Sequence, residues 1–178
     1  MSPRVYLAGP DVFFPDAPAR GAALRALCAE FGFEGLFPLD APLPADAAAP
    51  AAFARRIFEA NLGLIRRADA VLANLQDFRG HEPDSGTAFE VGFATALGIP
   101  VWAYGAPVVP IIEQVRGATD GRDAQGYLVE DFGMSRNLML ACAAHVVPGD
   151  VRACLARMRA AWPRDGTGHE AKHAHPAR

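Results

Sequence analysis

Residues Ala70-Val71-Leu72-Ala73-Asn74-Leu75 form a short run that is apolar at all but one position. A half-exposed strand alternates apolar with polar side chains. A run without that alternation is read as a strand buried on both faces, the situation of a parallel sheet covered by helices. The run leads into Phe78-Arg79-Gly80-His81-Glu82-Pro83-Asp84-Ser85-Gly86-Thr87-Ala88-Phe89-Glu90, a loop that opens an Ala-rich helix. In an open parallel sheet, ligands bind at the carboxyl ends of the strands. Here that end carries three carboxylates, Glu82, Asp84 and Glu90, with no lysine close by. Such a set suits a neutral or cationic substrate better than a phosphate, and paired carboxylates are a standard means of breaking a bond to an anomeric carbon.

The rest of the chain alternates in the same way. Arg4–Ala8 reads as a strand ended by Gly9-Pro10, and Ala17–Phe31 as a helix with Leu24, Leu27, Cys28 and Phe31 on one stripe. Phe33–Phe37 reads as a second strand, followed by a Pro/Ala-rich loop over residues 38–50. A helix over about 50–67 carries Phe53, Ile57, Asn61 and Ile65 at spacing four. After the strand at 69–75, a helix is expected over about 87–98 and a strand over Val101–Tyr104. Asn137–Ala144 reads as helix, His145–Val147 as the last strand, and Asp150 as the cap of a closing helix with Val151, Leu155, Met158 and Trp162 inward. The pattern predicts an α/β fold, a doubly wound parallel sheet with helices on both faces. Length and composition agree: 178 residues, 51% hydrophobic and 21% charged, fit one domain over residues 1–162 with a large core. The polar stretch 163–178 is expected to be a disordered tail.

Several function classes drop out. The net charge of −3 and the lack of a long basic run argue against nucleic acid as the main partner. Nothing approaches the ~18 consecutive apolar residues of a membrane span. Met1-Ser2-Pro3-Arg4 leads straight into a strand, so no secretory signal is expected. Cys28, Cys142 and Cys154 all sit in apolar helical contexts and read as buried, reduced thiols of a cytoplasmic protein. His169-Glu170-Ala171-Lys172-His173 matches the zinc-protease pattern H-E-x-x-H. That chemistry needs a buried helix and a third ligand, and this match lies among Gly166, Gly168 and Pro176 with no apolar face, so no metal site is expected.

The candidate site residues each admit a structural and a functional reading. Thr87-Ala88-Phe89-Glu90 fits a capping box, with Glu90 bonding back to the helix start. Phe93, Ala94 and Leu97 flank Glu90, however, so it could equally be a desolvated carboxylate poised as nucleophile or base. Asp84 could stabilise the helix N-terminus through the dipole, or be aimed at a ligand by Pro83 and Gly86. Glu82 and Arg79 read as a surface ion pair and His81 as a loop residue with a local hydrogen bond. Asn61 is out of place on an apolar stripe, and a buried amide needs partners, either strand backbone or ligand. Tyr6 belongs to the core of the first strand, but its hydroxyl needs a partner if buried. Asp11 and Phe13 sit at the carboxyl edge, where a planar ligand could stack. Asn137 reads as an N-cap.

Taken together, Tyr6-Leu7-Ala8-Gly9-Pro10, the Phe78–Glu90 loop and Asn137-Leu138-Met139 resemble the nucleoside 2-deoxyribosyltransferases, in the branch with an FRGHEPD-type loop. The likeness runs from about residue 4 to 162. It implies a flavodoxin-like five-stranded sheet and base exchange on 2′-deoxynucleosides by retaining double displacement, with no cofactor and no metal. Glu90 falls on the family's nucleophile, which attacks C1′ and forms a covalent deoxyribosyl-enzyme. Tyr6 falls on the tyrosine that orients it, and Asp84 on the aspartate that holds the 5′-end hydroxyl. The resemblance places Asn137 and Met139 in the neighbouring subunit's site, so a homo-oligomer, at least a dimer, is implied. Phe13 is expected to pack on the base. Where several members carry an aspartate that helps protonate the departing base, this chain has Asn61. Asn61 then hydrogen-bonds base or sugar, or another acid serves, with Asp11 and Asp40 as candidates.

The expected partners are therefore 2′-deoxynucleosides and free nucleobases, in nucleoside salvage. Two alternatives stand beside the transferase: a 2′-deoxynucleoside (5′-phosphate) N-hydrolase with water as acceptor, and a non-catalytic nucleoside-derivative sensor. A 5′-phosphate would meet carboxylates with no lysine to neutralise it, which favours nucleosides. Related nucleotide hydrolases carry small hydroxyl residues near Asp84.

Overall fold

A computed structural model describes residues 2–38, 50–115 and 120–163. Five strands, β1 (Arg4–Ala8), β2 (Glu34–Leu36), β3 (Ala70–Asn74), β4 (Val101–Tyr104) and β5 (His145–Val146), form one sheet in the order β2-β1-β3-β4-β5. Every pairing is parallel, with Val5 opposite Gly35 on one side and Ala70 on the other. Six α-helices connect or close them: α1 (Ala17–Glu30), α2 (Pro50–Arg67), α3 (Ser85–Ala96), α4 (Ile111–Gln114), α5 (Leu138–Ala143) and α6 (Val151–Ala161). This is the flavodoxin-like order, and its switch point lies between β1 and β3.

Strand alternation sorts the core into two halves. Val5, Leu7, Ala70 and Leu72 pack with Cys28 of α1 and Cys154, Leu155 and Met158 of α6. Tyr6, Ala8, Val71 and Ala73 pack with Leu64 and Ile65 of α2, Val91 and Ala94 of α3 and Leu140 of α5. β3 is buried along its whole length, as its unbroken apolar run requires. Each fully buried aliphatic side chain of this kind contributes about 1.5–3 kcal/mol.

Four readings need correction. The third helix starts at Ser85, not 87, because Asp84 caps it: Asp84 Oδ2 accepts the Thr87 N–H at 2.8 Å. Thr87 is thus the third residue of the helix, and the capping box with Glu90 does not form. Cys142 is exposed while Cys28 and Cys154 are buried, because the short α5 turns only Leu140 fully inward. A 3-10 turn at Pro10–Phe13 and the single turn α4 carry too little periodicity to read from sequence. β5 ends at Val146 rather than Val147. Asp40, the tail from Arg164 onward and its His169–His173 segment lie outside the described residues.

Candidate active site

The alternation of β1 turns Tyr6 towards α3. Tyr6 is fully buried, and its phenol finds the partner that burial demands: Oη donates to Glu90 Oε1 at 2.5 Å. Burial pushes the Glu90 carboxyl up to about 7; the hydrogen bond from Tyr6 pulls it down and the nearby charge of Asp84 pushes it up. Burial, then the Glu90 charge, drives the Tyr6 hydroxyl far above its ordinary range, so it stays a donor. A carboxylate that ionises near neutrality, oriented by a neutral donor, is suited to act as nucleophile or base.

Asp84 stands six residues earlier, as the N-cap of α3. It is 8% exposed. Its Oδ2 accepts from both the amide and the hydroxyl of Thr87. No described residue donates to Oδ1, so one oxygen caps the helix and the other has no partner among the described residues. A β-carbon at Gly86 would come within 3.0 Å of Oδ2 and press on this cap.

The carboxyl end of β1 leads into the 3-10 turn Pro10–Phe13. Asp11 accepts from the Asn74 amide at 3.1 Å and lies 3.4 Å from Arg20 Nη1. Asn74, at the end of β3, leaves no room at Gly9, where a β-carbon would meet its own at 2.9 Å. Hence the Gly9-Pro10 turn. Phe13 is half exposed and stacks on Phe78 at 5.2 Å between centroids. Arg79 does not pair with Glu82 as the sequence suggested. Its guanidinium sits over the Phe78 and Phe13 rings, at 4.7 and 5.7 Å, and its backbone is left-handed at φ 57. That conformation costs energy for a residue with a β-carbon, and Gly80 beside it takes the wider turn.

Asn61 keeps its anomaly. Its Oδ1 is buried without a hydrogen-bond partner among the described residues, so it does not bond the strand backbone. An orphaned buried acceptor is costly and calls for a ligand donor or water.

Asn137 and Met139 are not gathered with Tyr6 and Glu90. Asn137 caps α5 through the Met139 N–H at 3.0 Å, and Met139 is 72% exposed. Both border an open groove of about 560 Å³ between α3 and α5, with Glu82, Ala88 and Gly92. Two residues that sequence reasoning passed over organise this side. Glu130 accepts from Asn137 Nδ2 at 2.7 Å and from the Leu138 N–H at 2.8 Å. Arg136 is fully buried and bonds the backbone of Leu75 and His81 and the carboxylate of Asp77. The surplus of acids over cations between Asp77 and Asp84 was the one sequence hint that a distant arginine answers them. Glu82 is not bonded to Arg136; burial raises its carboxyl above the ordinary value and the Arg136 charge lowers it.

Comparisons with known proteins bear on the family and the fold. A family model described as nucleoside 2-deoxyribosyltransferase matches residues 5–139. The fold superposes on a 2-deoxyribosyltransferase from Leishmania mexicana with a TM-score of 0.74 and 33% identity, over 90% of this chain and 99% of that one. A 2-deoxyribosyltransferase from Bacillus psychrosaccharolyticus shares the fold at 22% identity, with a TM-score of 0.50 over 61% of this chain and 78% of that one. Among curated sequences, an uncharacterized protein of Schizosaccharomyces pombe is 30% identical over 157 residues, 77% of this chain and 74% of the yeast one. Matching over most of its domain, the chain belongs to the nucleoside 2-deoxyribosyltransferase family.

Proposed function

We propose that the protein exchanges the nucleobase of 2′-deoxyribonucleosides through a covalent deoxyribosyl intermediate on Glu90, with retention at C1′. The observation that carries this reading is the part-buried Tyr6–Glu90 pair at the switch point, with a carboxyl that ionises near pH 7. Ionised Glu90 attacks C1′ from the face opposite the base. The C1′–N bond breaks, its electron pair leaves with the base, and the base takes up a proton. An incoming base then attacks C1′ from the face the first one left, loses its proton and expels Glu90. Two inversions give net retention, and each passes through an oxocarbenium-like transition state.

Tyr6 holds one Glu90 oxygen, which aims the other and keeps the carboxylate from drifting to the protonated form. The free Asp84 Oδ1 accepts the 5′-hydroxyl, and a 5′-phosphate would be repelled there. Phe13 offers an aromatic face to the base. Asn61 presents its unpaired oxygen to a base or sugar donor; an amide supplies no titrating proton, so protonation of the leaving base falls to another acid. Asn137 and Met139 complete the site of a neighbouring subunit. Support for that assembly is exposed apolar surface on Met139 itself and on the preceding segment, where Tyr127, Leu128 and Phe132 are all more than half exposed.

The test is incubation with deoxyinosine, with and without free adenine. Formation of deoxyadenosine that depends on Glu90 supports exchange. Hypoxanthine release that adenine does not accelerate defeats it in favour of water as acceptor. No reaction with any deoxynucleoside defeats both and leaves a binding protein.

A further inference from the structure

We infer that Arg136 is a positioning residue for the substrate loop, holding Leu75–Glu82 in the path that presents Asp84 to the sugar. The Asp84 part rests on the functional reading above; the clamp itself does not. Between the end of β3 and the start of α3 the chain has no regular structure, so its backbone groups need partners from elsewhere. Arg136 supplies them from 55 to 61 residues away in sequence. Nε donates to Leu75 O at 2.8 Å, Nη1 to His81 O, and Nη2 to Asp77 Oδ1. Nη1 also reaches Gln114 Oε1 at 3.4 Å, and Gln114 in turn donates to Val109 O and Ser135 O.

Two features separate a clamp from mere filling. The guanidinium is fully buried, while its one bonded carboxylate among the described residues, on Asp77, is about half exposed. Burying a charge largely against neutral carbonyls is an expensive way to occupy space, and an apolar side chain of the same volume serves stability as well or better. The contacts also fall at three separate points of one loop, which the planar fork of arginine can span and the single ammonium of lysine cannot. The loop has its own closure between Phe78 N–H and Glu82 O. Fixing His81 beside it therefore fixes Glu82, Pro83 and the Asp84 cap. Tyr6 and Glu90 are mounted on β1 and α3 and do not touch Arg136. Loss of the clamp should thus weaken substrate binding while sparing the chemical step.

The experiment compares wild type with Arg136→Lys and Arg136→Met by exchange kinetics and by amide hydrogen exchange. The lysine variant guards against a methionine variant that fails to fold. Expected for both is a KM for deoxyinosine raised by about 10-fold or more, with kcat at saturation within about 3-fold and the acid limb of the pH profile unmoved. Millimolar methylguanidinium should restore KM in Arg136→Ala. Amides between Gln76 and Asp84 should exchange about 10-fold faster in the lysine variant, with the sheet unchanged. A lysine variant with wild-type KM, or a loss confined to kcat, overturns the positioning role. Unchanged protection of the loop overturns the clamp itself, and that readout needs no turnover. A wild-type protein inactive on every deoxynucleoside defeats the transferase reading instead, and the exchange pattern still decides the clamp.

Discussion

The Tyr6–Glu90 pair and the Asn137–Met139 segment are held by opposite means. Tyr6 sits on a central strand between two parallel neighbours, and Glu90 on a helix packed against that strand. Backbone ladders and apolar burial fix both, so their 2.5 Å contact follows from the fold. Asn137 and Met139 begin a helix of six residues, too short to stand on its own. They are placed by side chains reaching across: Glu130 onto the cap of α5, and Arg136 onto the loop after β3. The groups proposed to make bonds are thus on the rigid part. Those proposed to touch the outer substrate or a second subunit are on the part held by a few polar contacts.

The largest effect should come from breaking the rigid side. Glu90→Ala removes the proposed nucleophile and should lower exchange by on the order of 10⁴-fold or more, with circular dichroism unchanged. A variant that retains activity removes Glu90 from the mechanism. Tyr6→Phe should be milder, a loss of about 10- to 100-fold, with a displaced pH profile. In the proposed mechanism Glu90 works ionised, so activity should rise with pH through about 7 in wild type. The Tyr6 hydrogen bond favours that ionised form, so removing it should move the limb to higher pH. A limb that stays put, or moves down, would mean that Tyr6 does not act on Glu90.

Asp84→Ala sharpens the boundary between the two regions, since Asp84 is both a helix cap and a crevice carboxylate. It should cost about 1 kcal/mol of stability by thermal melting, together with about a 10-fold rise in KM. Asp84→Asn retains a capping oxygen and should recover most of the stability. Equal melting losses in the two variants would show that the charge, not the cap, holds the helix start.

The rigid region was also the legible one. The unbroken apolar run of β3, the short apolar run of β1 and the stripe on α6 are local patterns. They led to the sheet and its parallel sense, whereas the pairing of Tyr6 with Glu90 came from the resemblance of their motifs to the family. The helix start was misplaced by two residues because Asp84, Ser85 and Thr87 are all competent caps, and only tertiary geometry chose Asp84. Arg79 was matched to the nearest acid in sequence, whereas the rings of Phe13 and Phe78, one of them distant in sequence, take it. Arg136 and Glu130 stayed unread for the same reason. Their partners lie in other segments, and a lone arginine beside Asn137 has no periodicity or spacing to mark it. Asn61 was legible as an anomaly but not as an answer, because its carbonyl oxygen has no partner within the described residues.

The two regions should also differ in how they respond to pH in the folding equilibrium. Glu90 has a folded pKa raised from 4.5 to about 7 by burial. Between those values the folded protein holds a proton that the unfolded chain has released, so stability falls as pH rises through the window. Glu90→Gln carries no such titration. It should match wild type near pH 4 and be more stable by on the order of 2 kcal/mol above pH 8. The smallest effect is expected on the other side. Glu130→Gln keeps an acceptor for Leu138 N–H while losing the charge, and should lower stability by only about 0.5–1 kcal/mol. A larger loss than that of Asp84→Ala would reverse the comparison. It would mean that the α5 start is welded into the core as firmly as the Tyr6–Glu90 pair, and that its exposure reflects a fixed surface and not a releasable one.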